Sequence, residues 1–180
     1  MAPKGWTLVP QGELGVPEAP EPHPTFVENA LAKARHACEH TGLPALADDS
    51  GLCVSALDGA PGVYSARFAA MNGGEKSDQA NNAYLQQRLK DTEDRRAHYV
   101  AVLVFMRSAN DPQPVIAQAR WHGEIISEPM GSHGFGYDPY FYLPQFEKTV
   151  AQLDPAEKNR HSHRAQALQL LVGQLGDNTI

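Results

Sequence analysis

The sequence predicts an α/β fold with a mixed, twisted sheet and flanking helices. Three observations carry that prediction. Short apolar runs break off into charged or turn residues, as in Leu43-Pro44-Ala45-Leu46-Ala47 before Asp48-Asp49-Ser50-Gly51, which reads as a buried strand delivering acids to a sheet end. Stretches with apolar residues at helical spacing are interleaved with those runs. Two longer apolar runs flank an Asn110-Asp111-Pro112 turn and read as a hairpin of buried strands. With 180 residues, 42% of them hydrophobic, the chain is long enough for one domain with a real core or two small lobes.

Residues 1–24 are rich in Pro and Gly, with a short strand candidate at Trp6-Thr7-Leu8-Val9. Pro17, Pro20, Pro22 and Pro24 keep the rest extended, with Glu18 and Glu21 riding on that segment. Thr25 then opens a helix, with Glu28 three residues later in a capping-box pattern. Val27, Ala30, Leu31, Ala34 and Cys38 recur at helical spacing as its buried stripe, Lys33 lies off that stripe, and Gly42 ends the helix. A second short strand follows at Gly51-Leu52-Cys53-Val54, then turn chemistry at Asp58-Gly59-Ala60-Pro61-Gly62. A polar helix begins near Ser77 and carries Ala80, Tyr84, Leu85 and Leu89. The hairpin strands are Tyr99 to Phe105 and Val115 to Trp121, and Gly123 to Ile126 continue the second one past a bulge. A glycine-rich loop with aromatics, Gly131 to Pro139, leads into a short strand at Tyr140 to Leu143. Asp154-Pro155 starts a helical turn, and Ser162 caps a final helix through Ala165, Leu168, Leu171, Val172 and Leu175.

Charge and composition exclude several roles. A net charge of −6 argues against general nucleic-acid binding. No apolar run approaches the ~20 residues that span a bilayer, and the start lacks a signal-peptide core, so the expectation is a cytoplasmic protein without a membrane partner. Cys38 and Cys53 have neither metal spacing nor a disulfide framework and read as buried free thiols.

Three groups of residues carry chemistry. Adjacent carboxylates repel unless a cation or a shared proton relieves them, so Asp48 and Asp49 can hold a magnesium ion, which usually brings a phosphate-bearing substrate. Strand alternation lets one of them face the metal squarely, while the other braces a helix start, a lysine or the water. In Gly134-Phe135-Gly136-Tyr137-Asp138 the glycines allow close backbone approach, and Phe135 and Tyr137 can offer a flat surface to a base. Asp138 either accepts from a base edge or holds the loop shape. The run from Lys158 to Arg164 is a positive patch on an acidic protein. Placed at a helix start, where cations are mildly unfavourable, it suggests a visiting phosphate or electron-rich base edge. Together these groups describe a magnesium-dependent nucleotide site.

Five stretches, from about Leu8 to Leu175, resemble the inosine triphosphate pyrophosphatase family in content and order. They are Thr25-Phe26-Val27-Glu28-Asn29-Ala30 with Lys33-Ala34-Arg35, Leu46-Ala47-Asp48-Asp49-Ser50-Gly51-Leu52, Gly59 to Arg67, Gly134 to Pro139, and Ser162-His163-Arg164. The resemblance implies a single domain over residues 1–180 with two lobes around a central cleft, and hydrolysis of inosine, deoxyinosine and xanthosine triphosphates to the monophosphate and pyrophosphate. By the same resemblance Asp49 is the proton acceptor and a magnesium ligand, and Glu21 is the second metal acid. Lys33 contacts the phosphates and Ser50 lines the substrate site. Phe135, Gly136, Tyr137 and Asp138 hold the base, while Lys158, His163 and Arg164 complete the base and phosphate contacts. A homodimer is implied as well. These purines carry a carbonyl at C6 where adenine carries an amino group, so donors from Arg164 or a backbone N–H would be left unpaired against adenine.

One departure stands out. The family opens with a strand and a Ser/Thr-x-Asn-x-x-Lys phosphate loop, whereas the only lysine before Lys33 here is Lys4. The expectation is therefore a chain lacking that N-terminal strand and helix, with weak activity and low stability. It leaves a nucleotide-binding remnant without turnover as the alternative. A pyrophosphatase of modified pyrimidine nucleotides and an orthophosphate-releasing phosphatase are the other rivals.

Overall fold

The computed structural model describes residues 6–177; Lys4 lies outside the described residues. The segment Trp6-Thr7-Leu8-Val9 is not a strand. Leu8 and Val9 are exposed, Pro10 offers no N–H to a ladder, and the next structure is a 3₁₀ turn at Gln11–Leu14. The Trp6 ring instead lies 4.9 Å from the Phe105 ring.

Helix α1, Phe26–Thr41, begins where the Thr25 hydroxyl accepts the Glu28 N–H at 3.4 Å and donates to the Glu28 carboxylate at 2.5 Å. It ends at Gly42, whose φ of +67° suits a residue without a Cβ. Its buried face differs from the apolar stripe. Asn29, Ala30, Ala34 and Cys38 are buried, whereas Val27 is exposed and Leu31 half-buried. The face is rotated toward Asn29 because that side chain finds hydrogen-bond partners inside.

The two strands expected at 43–47 and 51–54 are one strand, β1, Ala45–Val54. The Ser50-Gly51 pair does not turn. It stays extended, and the next residue, Leu52, donates its N–H to the Ser65 hydroxyl at 2.9 Å. The paired acids therefore sit mid-strand, where alternation buries Asp49 and leaves Asp48 half-exposed. After 3₁₀ turns at Ser55–Leu57, Gly62–Arg67 and Ala70–Asn72, helix α2 spans Asp78–Arg88 with Ser77 as its cap.

Strand β2, Arg96–Met106, is buried along nearly its whole length, and β3, Val115–Ile125, alternates between buried and exposed positions. The end of β3 runs through Gly123 without interruption. A Cβ there would lie 2.6 Å from the Phe141 ring and would also meet the Tyr142 carbonyl, so the glycine answers a close approach rather than a bulge. Strands β4, Phe141–Leu143, and β5, Lys148–Thr149, complete a five-stranded sheet in the order β1-β2-β3-β4-β5. The β3/β4 and β4/β5 pairs are antiparallel. Helix α3, Pro155–His161, is capped by Asp154 with Pro at its first position. Helix α4, His163–Asp177, follows after Ser162.

The chain forms two compact units. The first holds the residues up to Asp49, Ala101–Ala119 and the residues from Arg164 onward. Its buried cluster gathers Ala101, Leu103, Phe105, Ala117 and Ala119 with Ala167 and Leu171 of α4. Asp111 fastens the β2–β3 connection in this unit. Its carboxylate accepts the Arg107 backbone N–H, Nε and Nη2 and the Gln113 N–H, each at 2.9 Å. The second unit holds Ser50–Val100 and Arg120–His163. Its larger core gathers Leu52, Leu85, Leu89, Tyr99, Trp121, Tyr137, Phe141 and Leu153.

Candidate functional site

The site residues named by the sequence assemble as two clusters, one in each unit. In the first, Asn29 and Lys33 lie one turn apart on α1 and so share a face. Lys33 Nζ stands 2.5 Å from Glu21 Oε1 and 3.0 Å from Asp49 Oδ1, and it donates to the Asp48 carbonyl at 3.2 Å. Asn29 is buried and fully used. Its amide exchanges two hydrogen bonds with the His23 backbone, at 3.0 and 3.1 Å, and donates to Asp49 Oδ2 at 3.4 Å. Thus α1 ties the proline-rich segment that carries Glu21 to the acid on β1. Sequence reasoning gave Asn29 no role. The available signal was a polar residue with short amide reach next to the apolar stripe.

Burial shapes both charges. It raises the Asp49 pKa above the ordinary carboxylate value, and the Glu21 charge adds to that, while Lys33 and Asn29 oppose it. Burial alone would depress the Lys33 ammonium, but its bonds to Glu21 and Asp49 outweigh burial and hold its pKa above normal. Asp48, on the opposite face of β1, accepts from Arg164 Nε at 2.9 Å. Both partners of that pair are largely open to solvent, so it contributes little to stability. The structure accordingly places Arg164 beside the paired acids and gives Asp48 the bracing part. Ser50 is half-buried in β1.

Among the described residues no group of three His, Cys, Asp or Glu side chains has the placement of a metal site. The residues that could hold a divalent cation here are Glu21 and Asp49. Two hard carboxylates fit magnesium, which keeps most of its waters and is commonly bound through one or two carboxylates plus substrate phosphates.

The second cluster surrounds the glycine loop. Asp138, 3% exposed, is the hub. Its Oδ1 accepts from the Tyr99 hydroxyl at 3.1 Å, and its Oδ2 accepts from the Phe135 N–H at 3.0 Å and from Lys158 Nζ at 2.5 Å. These three bonds hold the loop shape. Gly134, at φ +80°, leaves room for that carboxylate, since a Cβ would collide with Asp138 Oδ2. Tyr137 is a core residue whose hydroxyl donates to the Ser65 carbonyl at 2.9 Å, and burial raises its pKa well above the ordinary phenol value. Phe135 is the exposed ring of the loop, 65% accessible, with the Lys158 ammonium 4.7 Å from its centroid. Gly136 is held from α2 by Asp78 and Asn82.

The basic run ends one helix and opens the next, since His163 and Arg164 begin α4. Lys158, Arg160 and His161 occupy the last turn of α3, the end at which the macrodipole favours cations. His163, the first residue of α4, is buried and stacks on Tyr99 with centroids 4.9 Å apart and planes 12° apart.

The architecture is that of an α/β protein with a buried acid–lysine cluster and an aromatic glycine loop. The Ham1 family model matches residues 3–174, and the chain belongs to that family. It is 66% identical over 174 residues to the dITP/XTP pyrophosphatase of Bordetella pertussis, covering 97% of this chain and 82% of that protein. It is 65% identical over 173 residues to the dITP/XTP pyrophosphatase of Burkholderia pseudomallei, covering 96% and 83%. A HAM1 protein of Coxiella burnetii superimposes with a TM-score of 0.88 at 48% identity, over 94% of this chain and 86% of that one. Among the described residues no helix is long and apolar enough to cross a membrane.

Proposed function

We propose that the chain hydrolyses non-standard purine nucleoside triphosphates, inosine, deoxyinosine and xanthosine triphosphates, to the monophosphate and pyrophosphate. The observation that carries this reading is Lys33 held between Glu21 and the buried Asp49 in a chain whose relatives are named dITP/XTP pyrophosphatases. An arriving triphosphate competes for the Lys33 ammonium, which becomes a phosphate contact, and Glu21 and Asp49 are thereby released to carry magnesium. Magnesium held by Glu21 and Asp49 would supply Lewis-acid polarisation of the phosphate. Asp49 accepts the proton of the attacking water as the bond between the α- and β-phosphates breaks and pyrophosphate departs.

The glycine loop takes the base. Phe135 offers the stacking face, and Gly136, Tyr137 and Asp138 set the loop shape. Lys158, a donor without an acceptor, pairs with a C6 carbonyl and leaves the adenine amino group unmatched. His163, Arg164 and Ser50 complete the substrate contacts. The protein acts as a homodimer on free nucleotides in the cytoplasm, without a nucleic-acid or membrane partner.

Product analysis tests the reaction. Inosine triphosphate incubated with the protein and magnesium should yield inosine monophosphate and one equivalent of pyrophosphate. Release of orthophosphate would identify a phosphatase, and binding without products would identify a nucleotide-binding remnant.

A further inference from the structure

We infer that Asp78 and Asn82, on the first turns of α2, are positioning residues that set purine selectivity by fixing the Gly136 peptide from outside the loop. The inference rests on the reading of the 134–138 loop as the base site and extends it to a helix that reading does not include.

Both polar groups of Gly136 are taken by α2. Its N–H donates to Asp78 Oδ2 at 2.7 Å, and its carbonyl accepts from Asn82 Nδ2 at 2.8 Å. The same Asn82 amide donates to the Asp78 carbonyl at 2.9 Å, so the two clamps are joined to each other and to the helix backbone. Gly136 adopts φ +61°, a region that costs it nothing, so its own backbone preference does not fix its orientation and external partners must. Asp78 is suited to the part because a carboxylate in the first turn is stabilised by the helix N-terminus.

The loop thus has two separate holds. Asp138 secures it from inside through Tyr99, Lys158 and the Phe135 N–H. The α2 pair secures the two peptide groups on either side of the Gly136 Cα, between the exposed Phe135 ring and the buried Tyr137. If only the inner hold remained, Phe135 could swing relative to Lys158. The stacking face and the carbonyl donor would then no longer be presented together, and adenine and hypoxanthine would be told apart less well.

The test is steady-state kinetics on inosine and adenosine triphosphates for Asp78→Ala, Asp78→Asn, Asn82→Ala and Phe135→Ala, with thermal unfolding alongside. Asp78→Ala and Asn82→Ala should lower the inosine-to-adenosine ratio of kcat/KM by about tenfold, mainly through a higher KM for inosine triphosphate. Asp78→Asn, which keeps an acceptor for the Gly136 N–H, should recover the ratio to within about threefold of wild type. Asp78 is exposed, so its variants decide the matter even if Asn82→Ala fails to fold. An unchanged ratio in Asp78→Ala, with a lowered ratio in Phe135→Ala, would overturn the inference and leave the base site standing. An unchanged KM and ratio in Phe135→Ala would remove the base-site reading itself.

Discussion

Lys33 Nζ and Asp49 Oδ1 are 3.0 Å apart, a helix ammonium set against a strand carboxylate that is almost fully buried. Glu21 reaches the same ammonium, so one cation holds together two acids from different segments of the chain. Without that cation the two acids face each other uncompensated. Lys33→Met should therefore lower kcat/KM for inosine triphosphate by about a hundredfold. It should also reduce unfolding free energy by about 1–3 kcal/mol, both measurable on the purified variant. Wild-type kinetics in Lys33→Met would show that the lysine touches neither substrate nor base.

Asn29 links the two segments that bring those acids together. Asn29→Ala removes two hydrogen bonds to the His23 backbone and one to Asp49, leaving buried groups unpaired. A loss of about 2 kcal/mol in urea unfolding is expected, with faster proteolysis of the 15–24 segment. A variant that is as stable and as protease-resistant as the parent would show that the segment is held by other means.

The Asp111 clamp predicts an acid-dependent stability. Bonds from Arg107 hold the Asp111 carboxyl far below the usual carboxylate range. The folded form therefore binds fewer protons than the unfolded chain near the ordinary pKa of about 3.9. The stabilisation is complete above that pH and is lost as pH falls below it. Asp111→Asn should lower stability at pH 7, and the difference from wild type should shrink between about pH 4 and pH 2. A difference that stays constant over that range would place the stabilisation elsewhere.

Gly134 has no room for a side chain beside Asp138 and sits at φ +80°. Gly134→Ala should push the Asp138 carboxylate off its Phe135 and Lys158 partners. The expected result is a KM for inosine triphosphate raised about tenfold with a smaller change in kcat. An unchanged KM would mean that the loop tolerates the displacement.

Much of this was legible in the chain. The capped helix from Thr25, its glycine stop, the α2 start at Ser77 and the apolar strands all follow from local rules. What sequence could not show was set by partners distant along the chain. Ser50-Gly51 reads as a turn, yet it stays extended in a strand whose next residue bonds the Ser65 hydroxyl. Gly123 reads as a bulge until the Phe141 ring is beside it. Tyr137 reads as a stacking surface, but its hydroxyl meets the Ser65 carbonyl 72 residues away. Asn29, Asp78 and Asn82 were silent because an amide or carboxylate on a helix gains meaning only from the backbone it meets.

The most direct measurement is pyrophosphate release from inosine and adenosine triphosphates with magnesium, for the wild type and for Asp49→Asn. The account predicts a clear preference for inosine triphosphate in the wild type and a loss of at least about a hundredfold in turnover in the variant, with nucleotide binding retained. Equal rates on the two nucleotides, or an Asp49→Asn variant that releases pyrophosphate as fast as its parent, would contradict it.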